Sequence, residues 1–383
     1  MTPVFSEQEY QSRLDRFQQT LDSLGVDVAV VNTPENICYL VGHETSGFYT
    51  YQCLIVPVSG APVLLTRETE TVNGFDTTYL ESILGYRDVD DPIARTAELV
   101  ATVAPNATVV GLESRSWFLV PEHFEALSAA FKPSKVTRID DGIAQLRLIK
   151  SPAEITQLRR AAEITNAGVR AGALAAIPGV RERDVAAVAF AEMISKGSEY
   201  VGMEPFVASG PRAGNIHASW SDKVIGEGEG VLLEMAASKG RYHAPLMYTV
   251  WSGELTGESA LMAEACRAAR DATISLVRSG STPARAHLEC RRVVDEFGLA
   301  HTYRKRSGYS VGIAFAPDWG EGHILSLKET EHREFEPGMV VHVVPTLRLA
   351  GVAGQGFSAT VLVTETGNEI LTSCDIVNPG NLA

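Results

Sequence analysis

The spacing of apolar residues changes along the chain and divides it into two regions. The capping pattern Ser6-Glu7-Gln8-Glu9, followed by apolar residues at helical spacing, predicts a first helix that ends near Gly25. Short apolar runs then alternate with helical segments up to about residue 148. The predicted strands lie at 28–31, 51–57, 63–66 and 109–112. This alternation is typical of an α/β domain built on a central sheet.

The second region starts with a strong helix signal at Ser151-Pro152-Ala153-Glu154. Serine suits the N-cap, proline the first helical position and glutamate the third, and the predicted helix continues to Ala176. Long helices then alternate with hairpins, which is typical of an α+β domain. The helices are predicted at 184–195, 259–278 and 282–296, and the hairpins at 206–220, 230–252 and 339–364. We therefore predict two domains, 1–150 and 151–383.

The predicted hairpin at 230–252 carries an acidic residue inside an apolar strand. Ser238-Lys239-Gly240 supplies its turn, where glycine can adopt positive φ. Glu234 lies between two apolar neighbours, so its carboxylate is expected to lose much of its solvation. A desolvated carboxylate must be paired, protonated or used in chemistry. An ion pair with Arg241 is the structural alternative to a chemical role.

Composition indicates a globular protein of the cytoplasm. The 383 residues are 45% hydrophobic and 21% charged. No apolar run reaches the roughly 18 residues of a membrane span, and the first residues lack the features of a secretory signal. The five cysteines are odd in number and without C-x-x-C spacing, which argues against a disulfide framework and against a structural zinc site.

Charge narrows the possible partners. The 33 basic and 47 acidic residues give a formal charge of −14, which repels nucleic acid and anionic membranes and attracts small cations. We expect a cationic or zwitterionic small-molecule substrate, and neither nucleic acid nor membrane as a partner. The basic cluster Arg304-Lys305-Arg306 is predicted to be a solvated turn. Gly226-Glu-Gly-Glu-Gly230 precedes a strand instead of opening a helix, so it does not indicate a dinucleotide site.

Three segments of the second region together resemble a known family. These are the loop that ends at His217, the hairpin with its Arg241-Tyr-His-Ala-Pro-Leu246 motif, and Gly308-Tyr-Ser-Val-Gly312 with Pro317-Asp-Trp-Gly-Glu321. They resemble the pita-bread family of methionyl aminopeptidase, prolidase, creatinase and ectoine hydrolase. The resemblance implies a creatinase-type α/β N-terminal domain followed by an α+β pita-bread catalytic domain. It also implies a homodimer in which the N-terminal domain of one subunit caps the site of the other.

The family's metallopeptidases bind two metal ions, and the resemblance shows what this chain carries at the ligand positions. The two aspartates of the hairpin fall on Glu234 and Pro245, the histidine on Tyr309, and the two glutamates on Val344 and Ser358. Proline, valine and tyrosine are not ligands for such metals here. We therefore expect neither a metal nor another cofactor.

Two residues at family positions are predicted to be catalytic. His217 matches the active-site histidine of creatinase, a general base and acid, and an imidazole titrates near the working pH. Glu234 matches a glutamate that attacks the amidine carbon in ectoine hydrolase, and a carboxylate can both bind and add to that cationic carbon. For His217 the alternative is a loop histidine that makes one hydrogen bond.

The resemblance also implies a set of substrate-binding residues, several of which have structural alternatives. His243 and His342 are equally well explained as packed strand histidines, and Trp319 as a core residue. Tyr248 replaces an arginine of creatinase and ectoine hydrolase, and the stretch Gly356–Thr360 replaces a substrate-facing glutamate, so the substrate stays open. The predicted set is His243, Tyr248, Tyr309, Asp318, Trp319, Glu321, His342, Phe48 and Tyr49.

Phe48 and Tyr49, with Tyr51, resemble the creatinase loop that reaches across the dimer interface and caps the partner's pocket. An aromatic core is the alternative explanation for this cluster. Because the loop would cap the pocket of the partner subunit, it could have this role only in a homodimer.

These observations lead to a functional hypothesis with two alternatives. The favoured function is metal-independent hydrolysis of a C–N bond in a small amidine, guanidine or cyclic compound. Glu234 would attack the carbon or orient water, and His217 would carry the proton to the leaving nitrogen. Tyr309 or His243 would stabilise the developing charge. The alternatives are an Xaa-Pro-type metallopeptidase and a non-catalytic protein that binds a small ligand or peptide.

Overall fold

The structure is a computed structural model that describes residues 3–378. The chain folds into two compact units, of which the first ends at Arg147 and the second begins at Leu148. Within the described residues, no helix combines the length and the apolar character needed to cross a bilayer.

The first unit is an α/β domain with a six-stranded mixed sheet in the order β4-β3-β2-β1-β5-β6. Strand β1 pairs antiparallel with β2 and parallel with β5. The strands are β1 (Val28–Val31), β2 (Cys53–Pro57), β3 (Val63–Arg67), β4 (Ile83–Tyr86), β5 (Val109–Leu112) and β6 (Lys135–Arg138). The helices are α1 (Glu7–Ser23), α2 (Pro34–Val41), α3 (Thr71–Thr77), α4 (Pro92–Val103), α5 (Pro121–Ala130) and α6 (Asp140–Leu148).

Helix α1 shows how the sequence pattern produces this unit. The side chain of Ser6 accepts a hydrogen bond from the Glu9 amide, which satisfies one of the free donors at the helix start. The apolar residues at helical spacing are all buried, so one face of the helix packs on the unit's interior. The α/β fold predicted for this region is confirmed.

In its described part, up to residue 378, the second unit combines four helices with ten strands. The helices are α7 (Pro152–Ala175), α8 (Glu182–Ser195), α9 (Gly257–Ser275) and α10 (Pro283–Glu296). The strands are β7 (Phe206–Ser209), β8 (Gly230–Lys239), β9 (Tyr242–Trp251), β10 (Gly308–Ser310), β11 (Ser326–Leu327), β12 (Val340–Val343), β13 (Thr346–Leu349), β14 (Ala353–Gly356), β15 (Ala359–Thr364) and β16 (Gly367–Ile370). Short 3-10 helices occupy Gly210–Gly214 and Ala300–Thr302 in this unit and Glu68–Glu70 in the first.

The predicted start of α7 is a complete capping box. The Ser151 side chain accepts a hydrogen bond from the Glu154 amide at 3.3 Å, and the Glu154 carboxylate accepts one from the Ser151 amide at 2.9 Å. The helix ends one residue before the predicted Ala176, which is its C-cap.

Three sheets form the framework of the second unit, in the orders β7-β8-β9, β11-β10-β12-β15-β16 and β13-β14. The long hairpin β8–β9 separates two environments, because successive side chains of a strand point to opposite faces. Leu233 and Met235 pack in the large core that also contains residues of α7, α8 and α9. Leu232 and Ala236 pack in small clusters on the other face. Glu234 therefore lies on the face that the helices do not cover.

Candidate active site

Glu234 is held in the middle of the three-stranded sheet. In the strand register it lies opposite Phe206 of β7 and opposite Met247 of β9. Only 7% of its surface is exposed. Because the strands on both sides pair with β8, the Cα–Cβ bond of Glu234 is directed to the open face of the sheet.

The charges around Glu234 act in opposite directions. Burial raises the pKa of the carboxyl group, the cations Lys305 and Arg348 lower it, and Asp318 raises it. Burial is the largest of these effects. The two cations oppose it and so favour the ionised form.

Arg241, the alternative ion-pair partner of Glu234, is held elsewhere. Its guanidinium donates hydrogen bonds to the carbonyl oxygens of Tyr200 and Ala314, at 2.5 and 2.7 Å, and lies 3.7 Å from the centre of the Tyr200 ring. These contacts of the Arg241 guanidinium hold the turn between β8 and β9 in place. Glu234 does not serve as its structural partner.

His217 reaches the same face through an aromatic contact. Its ring stacks on Phe206, with centroids 5.6 Å apart and an interplanar angle of 25°. Phe206 lies opposite Glu234 in the strand register, so it brings the imidazole to the carboxylate's side of the sheet. His217 is exposed and has a φ of 54°, an uncommon backbone conformation outside glycine. Desolvation of the ring, followed by the charges of Arg348 and Lys305, lowers the pKa of His217.

A chain of hydrogen bonds links Ser358, His342, Tyr309 and Trp319. The Ser358 hydroxyl accepts from the Met247 amide at 2.6 Å and lies 2.7 Å from Nε2 of His342. Nδ1 of His342 lies 3.1 Å from the Tyr309 hydroxyl, which also accepts from Nε1 of Trp319 at 2.9 Å. These hydrogen bonds bring together Tyr309, Trp319 and His342, which were predicted to bind the substrate, and Ser358, which stands at a metal-ligand position of the family.

Burial decides the direction of the hydrogen bonds in this chain. If Ser358 donates to Nε2 of His342, Nδ1 carries the ring proton and donates to Tyr309, whose own proton stays available. The opposite tautomer leaves the Ser358 proton without an acceptor among these groups. Ser358 is buried and Tyr309 is half-buried, so the first arrangement costs less free energy. The Tyr309 hydroxyl is then a preoriented hydrogen-bond donor.

Asp318 and Trp319 complete the wall beside Tyr309. The Asp318 carboxylate accepts hydrogen bonds from the amides of Trp319 and Gly320, at 2.7 and 3.0 Å, which fixes the turn. The Trp319 ring is buried and lies edge-on to Phe206 at 5.8 Å. Trp319 thus lies in contact with Phe206 and Tyr309, and Asp318 acts on Glu234 through its charge.

Three of the predicted substrate-binding residues, His243, Tyr248 and Glu321, do not lie beside the carboxylate of Glu234. Both ring nitrogens of His243 are occupied, since Nε2 accepts from the Gly202 amide at 3.0 Å and Nδ1 lies 2.9 Å from the Arg241 carbonyl. Tyr248 points to the opposite face from Glu234 and packs edge-on against Phe357 at 5.1 Å.

Glu321 is the third predicted substrate-binding residue that does not lie beside Glu234. Its carboxylate forms a buried ion pair with Lys150 at 2.8 Å, and the Ser310 hydroxyl lies 3.3 Å from the same oxygen. Both partners of the ion pair are almost completely inaccessible to solvent. The structure does not bring His243, Tyr248 or Glu321 to the carboxylate of Glu234.

The predicted capping residues lie in the first unit. Phe48 is buried and packs edge-on against Phe118 at 5.3 Å. The neighbouring Tyr49 is 76% exposed, whereas Tyr51 is buried and its hydroxyl lies 2.9 Å from that of Thr96. Phe48 and Tyr51 therefore serve the interior of their own unit. The approach of Tyr49 to a partner's pocket stays a prediction.

The side chains at the family's ligand positions do not fit a metal ion. Val344 packs against Met247 and Leu232, and the Pro245 carbonyl accepts a hydrogen bond from Thr360. Within residues 3–378, no three His, Cys, Asp or Glu side chains are grouped closely enough to hold a metal. The donor set at this place is one acidic group, two hydroxyls and hydrocarbon, which is not a metal-binding set.

Lys305 and Arg348 are the site residues that the sequence interpretation missed. Lys305 belongs to the cluster predicted to be a solvated turn, but it is half-buried and its charge acts on Glu234 and His342. Arg348 lies on β13 and acts on the same carboxylate. The signal for Lys305 was its position three residues before Gly308, whereas an arginine in a short strand gives no signal by itself.

Comparisons with known proteins agree with this architecture. The sequence profile of metallopeptidase family M24 matches residues 156–365, and that of the creatinase/prolidase N-terminal domain matches residues 13–149. An uncharacterized hydrolase/peptidase of Sinorhizobium fredii is 32% identical over 387 residues, covering 96% of both chains. The ectoine hydrolase of Halomonas elongata is 28% identical over 386 residues, again covering 96% of both.

Solved structures of other proteins superpose on nearly the whole chain. The prolidase of Pyrococcus horikoshii superposes with a TM-score of 0.84 at 20% identity, covering 95% of this chain and 99% of the prolidase. The predicted pita-bread architecture with its creatinase-type N-terminal domain is thereby confirmed. The chain belongs to metallopeptidase family M24, as a hydrolase-family member with a creatinase/prolidase N-terminal domain.

Proposed function

We propose that this protein hydrolyses a C–N bond of a small amidine, guanidine or cyclic compound without a metal ion. The observation that carries the proposal is that Phe206 lies opposite Glu234 in the strand register and stacks on the ring of His217, while the family's metal-ligand positions carry side chains that do not bind metal. The 28% identity to an ectoine hydrolase over nearly the whole chain supports this reaction class.

Glu234 is the group that acts on the trigonal carbon. An amidinium carbon is planar, electrophilic and cationic, so a desolvated carboxylate both attracts it and reacts with it. Glu234 either adds to the carbon or orients a water molecule toward it. In both cases one water molecule is consumed overall, one C–N bond breaks, the water oxygen ends as the carbonyl oxygen on the carbon, and both water protons end on nitrogen.

His217 moves the proton that the leaving nitrogen requires. The lowered pKa keeps the imidazole neutral at neutral pH, so it can accept a proton from water and deliver it to the departing nitrogen. Its exposed position at the edge of the site suits exchange with solvent. The stack on Phe206 restricts the ring to one orientation.

Tyr309 stabilises charge that develops during the reaction. Its hydroxyl accepts from Trp319 and His342 and has one proton left for a ligand. A donor that is already oriented costs no reorganisation in the transition state. The same arrangement explains why His342 and Ser358 are buried behind Tyr309 and need not touch a substrate.

The two other candidate functions make different demands on the site. An Xaa-Pro-type metallopeptidase needs a metal-binding set, which Pro245, Val344 and Ser358 do not provide. A non-catalytic protein has no use for a desolvated carboxylate, whose burial lowers stability. Both remain distinguishable by experiment.

The decisive experiment incubates purified, chelator-treated protein with ectoine, hydroxyectoine, creatine and an Xaa-Pro dipeptide, and identifies products by mass spectrometry. We expect cleavage of an amidine or guanidine without added metal, and none by Glu234→Gln. Glu264→Gln, an exposed residue of α9, is the matched control and should retain full activity. Cleavage of the dipeptide alone, and only after a metal is restored, would overturn the proposal.

A further inference from the structure

Two half-buried cations of the second unit have no acidic partner at ion-pair distance among the described residues, unlike several other cations of the same unit. Lys150 pairs with Glu321, Arg212 with Glu182, and Lys223 with Glu229. Lys305 and Arg348 are half-buried, yet neither has a carboxylate at ion-pair distance among residues 3–378. A partly buried charge without a partner is unfavourable unless a ligand or water meets it.

Arg348 is fixed in a way that leaves one side of its guanidinium available. Nη1 donates to the carbonyl oxygens of Ala213 and Asn215, at 2.6 and 2.7 Å. Nε is buried and has no hydrogen-bond partner in the described part of the chain. The edge formed by Nε and Nη2 is the one that binds a carboxylate through two parallel hydrogen bonds. The bonds of Nη1 also tie Arg348 to the loop that carries His217.

Lys305 lies where its charge reaches several walls of the site. It acts on Glu234 of β8, His342 of β12 and Cys266 of α9. It also acts on His217. The backbone next to Lys305 is tied to the site, since the Ser307 carbonyl accepts a hydrogen bond from the Val344 amide at 2.8 Å and Tyr309 follows two residues later.

We propose that Lys305 and Arg348 form a subsite that binds a carboxylate group of the substrate beside Glu234. This inference rests on the proposed function, and it defines the substrate class as zwitterionic. The amidine or guanidine carbon meets Glu234, and the carboxylate of the same molecule meets the two cations. The net charge of −14 predicts a cationic ligand, whereas the local charge at this site selects for an anionic group.

The test separates the two halves of such a substrate. Calorimetric titrations would use propionate as the carboxylate, acetamidine as the amidine and inorganic phosphate as a competing anion. We expect Lys305→Gln and Arg348→Gln each to weaken propionate binding about tenfold, because each removes one charge-assisted contact. Neither variant should weaken acetamidine binding.

Two further variants keep the test independent of folding. Arg304→Gln removes the same charge from the exposed neighbour of Lys305 and should bind propionate like the wild type. Arg348→Lys keeps the charge but loses the two-pronged edge, and should lie between wild type and Arg348→Gln. Circular dichroism melting curves would show that all variants are folded.

The outcomes distinguish this subsite from the reaction proposed above. Propionate binding that depends on Lys305 supports the subsite even if ectoine is not hydrolysed. Equal propionate affinity in all variants, no propionate binding, or tighter binding of phosphate than of propionate would overturn it. If ectoine is hydrolysed with the same KM by wild type and Lys305→Gln, the reaction stands and the subsite does not.

Discussion

Nδ1 of His342 lies 3.1 Å from the hydroxyl oxygen of Tyr309, and Nε2 of the same ring lies 2.7 Å from the Ser358 hydroxyl. In the family resemblance, Tyr309 and Ser358 stand at two positions where metallopeptidases have metal ligands. Here these positions form a hydrogen-bond chain between neutral side chains. Burial and the charges of Lys305 and Arg306 lower the pKa of His342, so the ring between them stays uncharged.

Replacing Tyr309 by phenylalanine should lower kcat of the proposed hydrolysis by about a hundredfold with little change in KM, because a transition-state donor is lost. Ser358→Ala should lower kcat less, by about tenfold, since it acts only through His342. Steady-state kinetics with the substrate found in the cleavage panel would measure both. Tyr86→Phe, whose hydroxyl bonds to a backbone carbonyl of the first unit, is the matched control. Unchanged kcat in Tyr309→Phe would refute the role of this hydroxyl.

Replacing Glu234 by glutamine should increase the free energy of unfolding at neutral pH. Burial raises the pKa of this carboxyl group in the folded state, so folding loses stability as pH rises through the folded pKa. Below the ordinary pKa of glutamate, about 4.3, both proteins are neutral at this position and the difference should vanish. Urea unfolding of the two proteins at acidic and neutral pH measures it. A variant that is less stable at neutral pH would contradict this expectation.

The ion pair between Lys150 and Glu321 should contribute to stability and not to substrate binding. Glu321→Gln leaves a buried ammonium unpaired and should cost about 3–5 kcal/mol in the free energy of unfolding. Replacing both residues by apolar ones of similar size should cost less than the single change. Urea unfolding measures both, with Glu369→Gln as the control. Its exposed pair with Arg159 should contribute less than about 1 kcal/mol.

The affinity for a carboxylate should fall as pH rises through about 8. Burial lowers the pKa of Lys305 to about 8, so its ammonium is charged below that pH and neutral above it. Burial raises the pKa of Cys266 to about 12 and lowers the pKa of His342 well below its ordinary value, so neither of these two facing groups titrates in this range. Propionate titrations across this range should show the fall in wild type and not in Lys305→Gln.

The sequence by itself determined the fold and predicted Glu234 and His217 as the reacting pair. Capping residues, helical spacing and the apolar strands around Glu234 are local features of the sequence. The structure forms such features as predicted, as the capping hydrogen bonds of Ser6 and Ser151 show. The family resemblance likewise identified both domains. The motifs named His217, Glu234, Tyr309 and Trp319, and the structure brings these four to one place.

Only the tertiary structure decided which remaining polar residues face Glu234. Strand alternation turns Tyr248 away, Glu321 is taken by Lys150, and both nitrogens of His243 are bonded to backbone. Lys305 was placed in solvent from its charged neighbours, yet the chain buries half of it. Burial and pairing depend on residues distant in sequence, since the partners of one side chain lie on separate strands and helices. A short motif does not specify those distant partners. The charged residues around Glu234 could therefore be identified only from the tertiary structure.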